Sequence, residues 1–511
     1  MIKKIENFLN RWGLFIAAII FLLLQLPFLH ADPAEGVSWS RGPWTDEGLY
    51  LSQIRNAINH GHLNIEESDC LLKTPLFNLL MYPLFLLFGT KLIVARCFVM
   101  LATLATYIYV ISKSKKHPGW IFSILLVASQ FYVFQYSHFA QAELLQCDFI
   151  LLALFFYTKQ KEHASSTKKQ YLYIFLSCMF IALSYYTKIN TAYMLVLIPI
   201  VFGVEFLFSL LSKYDDKKSC FFKFIASMVF TALFLGIYIL CWYMPNQDIF
   251  GIFTETTLNS DAGFSVSLKD YSGMLPFNYN ILNKDERLYF YLTFTELAFI
   301  VYIILITYHK TRKSLKNNAS PLLFIFLWFM LEMHKFGYHY LPQRYLIPTI
   351  FASCFMIGFI FAEIGKQVSD SSVKKGSFIR NVLFYLIIFM IGNSARFYAK
   401  SYNNRHYLVQ DMNDYLSRYN LKNDTIIGPW APSATWDSKS YSLPIWKNFY
   451  YHDDPINTFH PRIVVSEKDE TDSDSAYSKQ NINLKAISDS SKEFDIYLWK
   501  PVIYWLKKTE K

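Results

Sequence analysis

The chain has 511 residues, of which 53% are hydrophobic, 18% aromatic and only 17% charged. A soluble domain of ordinary composition carries about a quarter charged residues, so a soluble globular enzyme is excluded first and a polytopic membrane protein is expected. The formal net charge of +10 is accounted for by topology, as shown next, and leaves no ground for nucleic-acid binding.

Apolar stretches recur at 13–29, 91–112, 119–137, 144–158, 170–187, 190–211, 221–243, 288–307, 320–333, 342–364 and 380–396. A helix needs about 20 residues to cross the hydrocarbon core, so about eleven transmembrane helices are expected, the short 144–158 stretch borrowing flanking residues. Lys3, Lys4 and Arg11 precede the first stretch, but its apolar run is long and no small-residue cleavage site follows, so it reads as a retained helix rather than a signal peptide. With the N-terminus inside, the segments 1–12, 113–118, 159–169, 212–223, 309–316 and 363–380 hold 22 Lys and Arg in 67 residues. The opposite connections (30–90, 135–143, 186–189, 244–287 and 334–344) hold 9 in 129. Positively charged loops stay cytoplasmic, so the N-terminus is expected in the cytoplasm and, with an odd helix count, the C-terminal segment outside.

The long connections then lie on the outer side, at about 30–90 and 244–287, together with a tail from 397, and long loops on a rigid scaffold are where binding and catalytic groups concentrate. In the first loop, 45–58 places Leu49, Ile54, Ala57 and Ile58 on one face and Asp46, Glu47, Gln53 and Asn56 largely elsewhere; the pattern predicts an amphipathic helix on the membrane surface. Pro75 opens a second apolar segment, 76–89, expected to be interfacial or re-entrant. The tail, 397–511, carries β-rich runs at 462–465 and 494–499 and turns at Gly428-Pro429 and Asp453-Asp454-Pro455, which predict a small α/β domain. Within it, 466–480 is poor in apolar residues and reads as a flexible loop. Seven scattered cysteines form no disulfide framework or CxxC metal motif.

The sharpest chemical signal is Trp44-Thr45-Asp46-Glu47-Gly48-Leu49-Tyr50, where Thr45 is placed to cap the helix and two carboxylates stand just beyond a membrane span. Such acids also favour the positive end of a helix without doing chemistry. Asp148 lies about one turn inside the fourth span, where an ionisable group is a functional candidate by default, with pairing to a neighbouring helix as the alternative. Glu143, nearer the boundary, reads as solvated. Lys73, Arg96, Lys188, Lys335 and Arg344 all stand on the outer side, against the positive-inside preference. A phosphate or pyrophosphate held at the outer boundary accounts for their convergence, although each singly also suits snorkelling. Tyr50, Tyr338 and Tyr340, with Trp44, are placed to line a sugar. His60, His62, His334 and His339 match no strong metal spacing, so no metal ligand is assigned, while a divalent ion beside Asp46 or Glu47 stays open.

In order and topological placement, the acidic pair in the first outer loop, the Lys73-Thr74-Pro75-Leu76 element, Arg96 early in the next span, Asp148 in the fourth and the late Lys335 and Tyr340-Leu341-Pro342 element resemble the GT-C superfamily of membrane glycosyltransferases. The likeness is greatest to the branch of protein O-mannosyltransferases and lipid A aminoarabinose transferases, and covers about residues 1–360. The resemblance implies a bacterial inner-membrane enzyme that takes a sugar from a polyprenyl-phosphate donor and passes it, outside the cytoplasm, to a lipid, glycan or protein acceptor. It implies catalytic roles for Asp46, Glu47 and Asp148, donor-phosphate contact by Lys73, and positive charge at Arg96 and Lys335; Arg344 joins them as a phosphate-binding candidate from the convergence of basic residues alone. Leu72 stands where aminoarabinose transferases keep a carboxylate that helps bind metal. Two other readings remain: a lipid-linked sugar transporter using Asp148, Glu205, Glu296 and Glu332, opposed by the absence of repeated halves, and a scaffold whose tail recruits partners.

Overall fold

The computed structural model describes residues 2–114, 117–163, 166–211, 216–259, 268–307, 309–369, 373–445, 454–468, 477 and 481–507, to which all structural statements below refer. Most of the expected flexible loop 466–480 and parts of the expected cytoplasmic connections lie outside the described residues.

Every apolar stretch falls on helical backbone. The helices are α1 (Ile2–Gln25), α2 (Gly42–His60), α3 (Cys70–Lys73), α4 (Pro75–Phe88), α5 (Leu92–Lys113), α6 (Pro118–Ser129), α7 (Phe131–Tyr136), α8 (Ala142–Glu162), α9 (Thr167–Thr187), α10 (Leu197–Leu211) and α11 (Lys217–Tyr238). They continue with α12 (Gln247–Asn259), α13 (Leu268–Lys284), α14 (Tyr289–Thr307), α15 (His309–Glu332), α16 (Ile347–Ser369), α17 (Val373–Asn403) and α18 (Leu408–Ser417). The stretch 119–137 is two helices, because Gln130 turns extended (ψ 132°) and its side chain accepts from the Val133 N–H at 3.1 Å, capping α7. Four segments, Leu92–Lys113, Ile189–Leu211, Lys217–Thr254 and Gln343–Ile364, are long and apolar enough to cross a membrane by length and composition. Of these, Gln343–Ile364 is 94% buried at the centre of the bundle, whereas Lys217–Thr254 is only 11% buried. Exposed Phe222, Val229, Leu233 and Leu240 on that outer segment are what a lipid-facing surface requires.

The tail folds into a five-stranded mixed sheet of β1 (Thr425–Gly428), β2 (Tyr441–Pro444), β3 (Ile463–Glu467), β4 (Ser488–Glu493) and β5 (Pro501–Leu506), in the order β2-β1-β3-β5-β4. β1 pairs parallel with β2 and β3, and β5 pairs antiparallel with β3 and β4. The apolar run at 462–465 is thus part of a strand, but 494–499 is not. It makes a tight turn between β4 and β5, closed by mutual backbone bonds of Ile496 and Trp499 at 2.8 Å, and buries Trp499 completely. Gly428 ends β1 at φ +144°, with the Val465 carbonyl 1.9 Å from where a Cβ would stand. Gly428→Ala must therefore push β1 from β3, and a loss of about 3 kcal/mol is expected, read as a lower Tm of the purified protein.

The sheet domain sits on α2, so the amphipathic helix expected on the membrane surface has its polar face covered by protein. Leu49, Leu51 and Ile54 are buried, but so are Asp46, Glu47, Gln53, Arg55 and Asn56. The polar face is covered because Arg55, wholly buried, donates to the carbonyls of Thr435 (2.8 Å), Trp436 (2.9 Å) and Ser440 (3.0 Å), and Asn56 to that of Ser442 (3.0 Å). Ser433 Oγ donates to the Thr45 carbonyl, and Gly48 leaves room for the Ser433 backbone, 2.6 Å from where a Cβ would stand. Nor does Thr45 cap the helix. The helix begins at Gly42 with Pro43 in its first turn, where the missing N–H costs nothing, and Thr45 Oγ1 instead donates back to the Arg41 carbonyl at 3.2 Å.

Candidate active site

Consecutive residues on a helix are turned about 100° apart, so Asp46 and Glu47 cannot face the same partners. Glu47 points toward α5, where Arg96 grips it with Nε at 2.9 Å and also with Nη2. Arg96 Nη1 spends its remaining reach on the carbonyls of Leu29 (2.9 Å) and Ala31 (3.2 Å), and the Ala140 N–H caps Glu47 Oε1. With both charges matched, the pair holds α2 against α1, α5 and the turn before α8.

Asp46 points the other way, into a second cluster. Its carboxylate is 4% exposed, Oδ2 accepts no hydrogen bond among the described residues, and Arg344 Nε stands 3.4 Å from that oxygen. Arg344 also lies 3.9 Å from Glu143 Oε1, donates to Ser40 Oγ and the Tyr340 hydroxyl at 3.3 Å each, and covers the rings of Tyr340 and Tyr345. Gly42 makes this approach possible, since a Cβ there would meet Arg344 Nη1 at 2.0 Å. Glu143 is ion-paired with Lys188 and takes a 3.4 Å bond from the Tyr50 hydroxyl. The Lys188 ammonium stands 5.4 Å from the ring centres of both Tyr50 and Tyr345. Two carboxylates and two cations therefore alternate within one buried group where α2, the start of α8 and the end of α9 meet.

Burial raises the Asp46 carboxyl above its ordinary value; Arg344 opposes the shift and the Glu143 charge adds to it. Burial likewise lowers the Lys188 ammonium, with Glu143 opposing. The Tyr50 hydroxyl is pushed well up by burial and by both carboxylates, so it stays a donor.

Of the residues expected from sequence, Asp46, Lys188, Arg344, Tyr50 and Tyr340 meet here. Lys73 forms an ion pair with Asp69 one helical turn earlier, and its side chain remains 43% exposed. Lys335 pairs with the buried Glu332 at 2.6 Å and reaches the cluster only through the Tyr345 carbonyl, at 3.0 Å. Tyr338 is hydrogen-bonded to His334 Nε2 at 2.8 Å. Asp148 lies deeper along α8, where Thr103 Oγ1 donates to it at 2.7 Å and Oδ1 has no partner among the described residues. Glu143 was expected to be solvated and is instead 2% exposed, because the bend before α8 turns it inward onto Lys188. The sequence signal for it was available: an acidic first-turn residue of one apolar helix and a basic residue at the end of the next.

Among the described residues no three of His, Cys, Asp and Glu converge on one point. Asp46 and Glu143 already meet Arg344 and Lys188, and His60 and His62 pack on Tyr441 at the far end of α2. This donor set does not suit a divalent ion.

No family model and no curated protein sequence matches the chain. Solved structures do. ArnT from Cupriavidus metallidurans in the apo state is similar over 97% of this chain and 98% of its own, with a TM-score of 0.56 at 11% identity. The same protein bound to undecaprenyl phosphate is similar over 96% and 97%, with a TM-score of 0.52 at 10% identity. The archaeal oligosaccharyltransferase AglB from Archaeoglobus fulgidus, in complex with an inhibitory peptide and a dolichol-phosphate, is similar over 90% of this chain and 70% of its own, with a TM-score of 0.55 at 10% identity. The chain shares the fold of these proteins, over nearly its whole length in the case of ArnT, including the tail that the sequence resemblance did not reach.

Proposed function

We propose that this chain is an inverting membrane glycosyltransferase, moving a sugar from a polyprenyl-phosphate donor to a lipid, glycan or protein acceptor outside the cytoplasm. The observation that carries the reading is the buried Asp46 carboxylate, whose Oδ2 accepts no hydrogen bond among the described residues and faces the Arg344 guanidinium, set beside Lys188 and Glu143. Its fold is shared with proteins whose structures hold undecaprenyl phosphate and dolichol-phosphate.

In the proposed reaction the acceptor hydroxyl oxygen attacks the anomeric carbon, the bond from that carbon to the phosphate oxygen breaks, and polyprenyl phosphate leaves with the bonding pair. Asp46 Oδ2 takes the hydroxyl proton, which requires the carboxylate form and hydrogen-bond reach. Arg344 and Lys188 supply charge for the phosphate as it gains negative character, in a site from which water is largely excluded. Glu143 holds Lys188, and Tyr50 holds Glu143. Lys73 and Lys335 are assigned to the path of the lipid phosphate toward this cluster. Glu47 and Arg96 act by fixing the α2 helix, and Asp148 by packing α8 on α5.

The sign of the pH dependence follows from the raised Asp46 carboxyl. Below that pKa the base is protonated and inactive, so kcat/KM rises with pH, with a midpoint above the ordinary carboxylate value of about 4. A pH–rate profile of the purified enzyme checks this; a flat profile across the acid range removes Asp46 from proton transfer. Retention of anomeric configuration in the product would contradict direct displacement.

A further inference from the structure

A separate cavity of about 220 Å³ opens behind α2, on the Glu47 side and away from Asp46, between the start of α5 and the sheet domain. Leu29, Leu92 and Ile93 line it at the ends of α1 and α5, the level at which a membrane span meets the headgroup region. Trp436 closes the opposite wall, its indole N–H buried without a hydrogen-bond partner among the described residues.

Of the charged groups in this cavity, several are already satisfied. Glu47 and Arg96 match each other, and Asp32 accepts the N–H groups of Leu408 (2.7 Å) and Val409 (3.2 Å) at the start of α18. Three groups are exposed and form no ion pair among the described residues: Lys91 and His30 on the membrane side, and Asp437 on the sheet-domain side. Asp437 lies within electrostatic range of Arg55 first and then of Lys91 and His30, with Asp414 opposing, yet among the described residues it forms no ion pair with any of them, and Arg55 already donates to the carbonyls of Thr435, Trp436 and Ser440. An anionic headgroup would leave Asp437 repelled, and a cationic one would leave Lys91 unmatched. A group carrying one charge of each sign satisfies all three.

We infer that this cavity binds the zwitterionic headgroup of an amine-bearing phospholipid, its phosphate on Lys91 and His30, its ammonium on Asp437, and its glycerol end against Leu92 and Ile93. The lipid would bridge α5 to the sheet domain and so brace the contact of that domain with α2. This is independent of the glycosyl-transfer reading.

The test uses the full-length protein in detergent, titrated with dilauroyl phosphatidylethanolamine, phosphatidylcholine and phosphatidylglycerol of equal chain length, and read by thermal unfolding and native mass spectrometry. Phosphatidylethanolamine is expected to raise Tm and to be retained; phosphatidylcholine, without N–H donors, should do so less, and phosphatidylglycerol least. Lys91→Gln and Asp437→Asn should each cut the phosphatidylethanolamine shift by at least half, and together abolish it. Equal shifts from all three lipids overturn the inference on the unaltered protein alone, as does a phosphatidylethanolamine shift that survives both substitutions.

Discussion

Asp46→Asn is expected to lower kcat/KM for sugar transfer by about 10²- to 10⁴-fold, the usual contribution of a positioned general base, or about 3–5 kcal/mol of transition-state stabilisation. The amide nearly preserves size, so the 4% exposed site stays packed, and binding of undecaprenyl phosphate should be retained. What is lost is the oxygen able to take a proton: Oδ2 is the atom with no hydrogen bond and with Arg344 3.4 Å away. Glu47→Gln separates role from neighbourhood. Glu47 is held by Arg96 and the Ala140 N–H, so its neutralisation should lower stability by leaving a buried guanidinium unmatched, about 3 kcal/mol. In the Glu47→Gln protein that remains folded, the acid limb of the pH profile should be unmoved. Turnover unchanged in Asp46→Asn and abolished in Glu47→Gln would reverse the assignment.

Arg344→Met carries the second large effect. Arg344 is the one group in the cluster that touches both carboxylates and two tyrosine rings, at 5.8 Å from Tyr340 and 5.2 Å from Tyr345. Its removal should cost about 10²- to 10³-fold in kcat, as for other preorganised groups facing a developing charge. Arg344→Lys should restore little, since an ammonium lacks the planar fork that reaches Asp46, Ser40 and Tyr340 together. Loss in KM alone, with kcat kept, would mark Arg344 as a binding contact that does no more in the transition state than in the ground state.

Helix positions were legible because the bilayer demands long apolar runs, and the acid beyond the first span was legible because its setting is unusual. The partner of that acid was not. Asp46 shares its cluster with Glu143, Lys188 and Arg344, about 97, 142 and 298 residues away in sequence, and no local pattern encodes which of the five candidate cations comes to stand beside it. Arg96, one of five basic residues whose placement suggests a phosphate, also contacts Glu47 and two carbonyls, which gives a second physical reason for a cation there. The amphipathic pattern of α2 was real, but its polar face is met by Arg55 and Asn56 donating into the sheet domain rather than by water. Burial by a distant part of the chain leaves no mark on periodicity.

Cleavage of a lipid-linked sugar can be read out by reconstitution. Purified protein in liposomes containing undecaprenyl phosphate carrying a radiolabelled sugar, supplied with an envelope extract as acceptor source, should release undecaprenyl phosphate and move label into the acceptor fraction, with Asp46→Asn doing neither. Label that crosses the bilayer still attached to its lipid, at the same rate in Asp46→Asn, would contradict the account and identify a transporter.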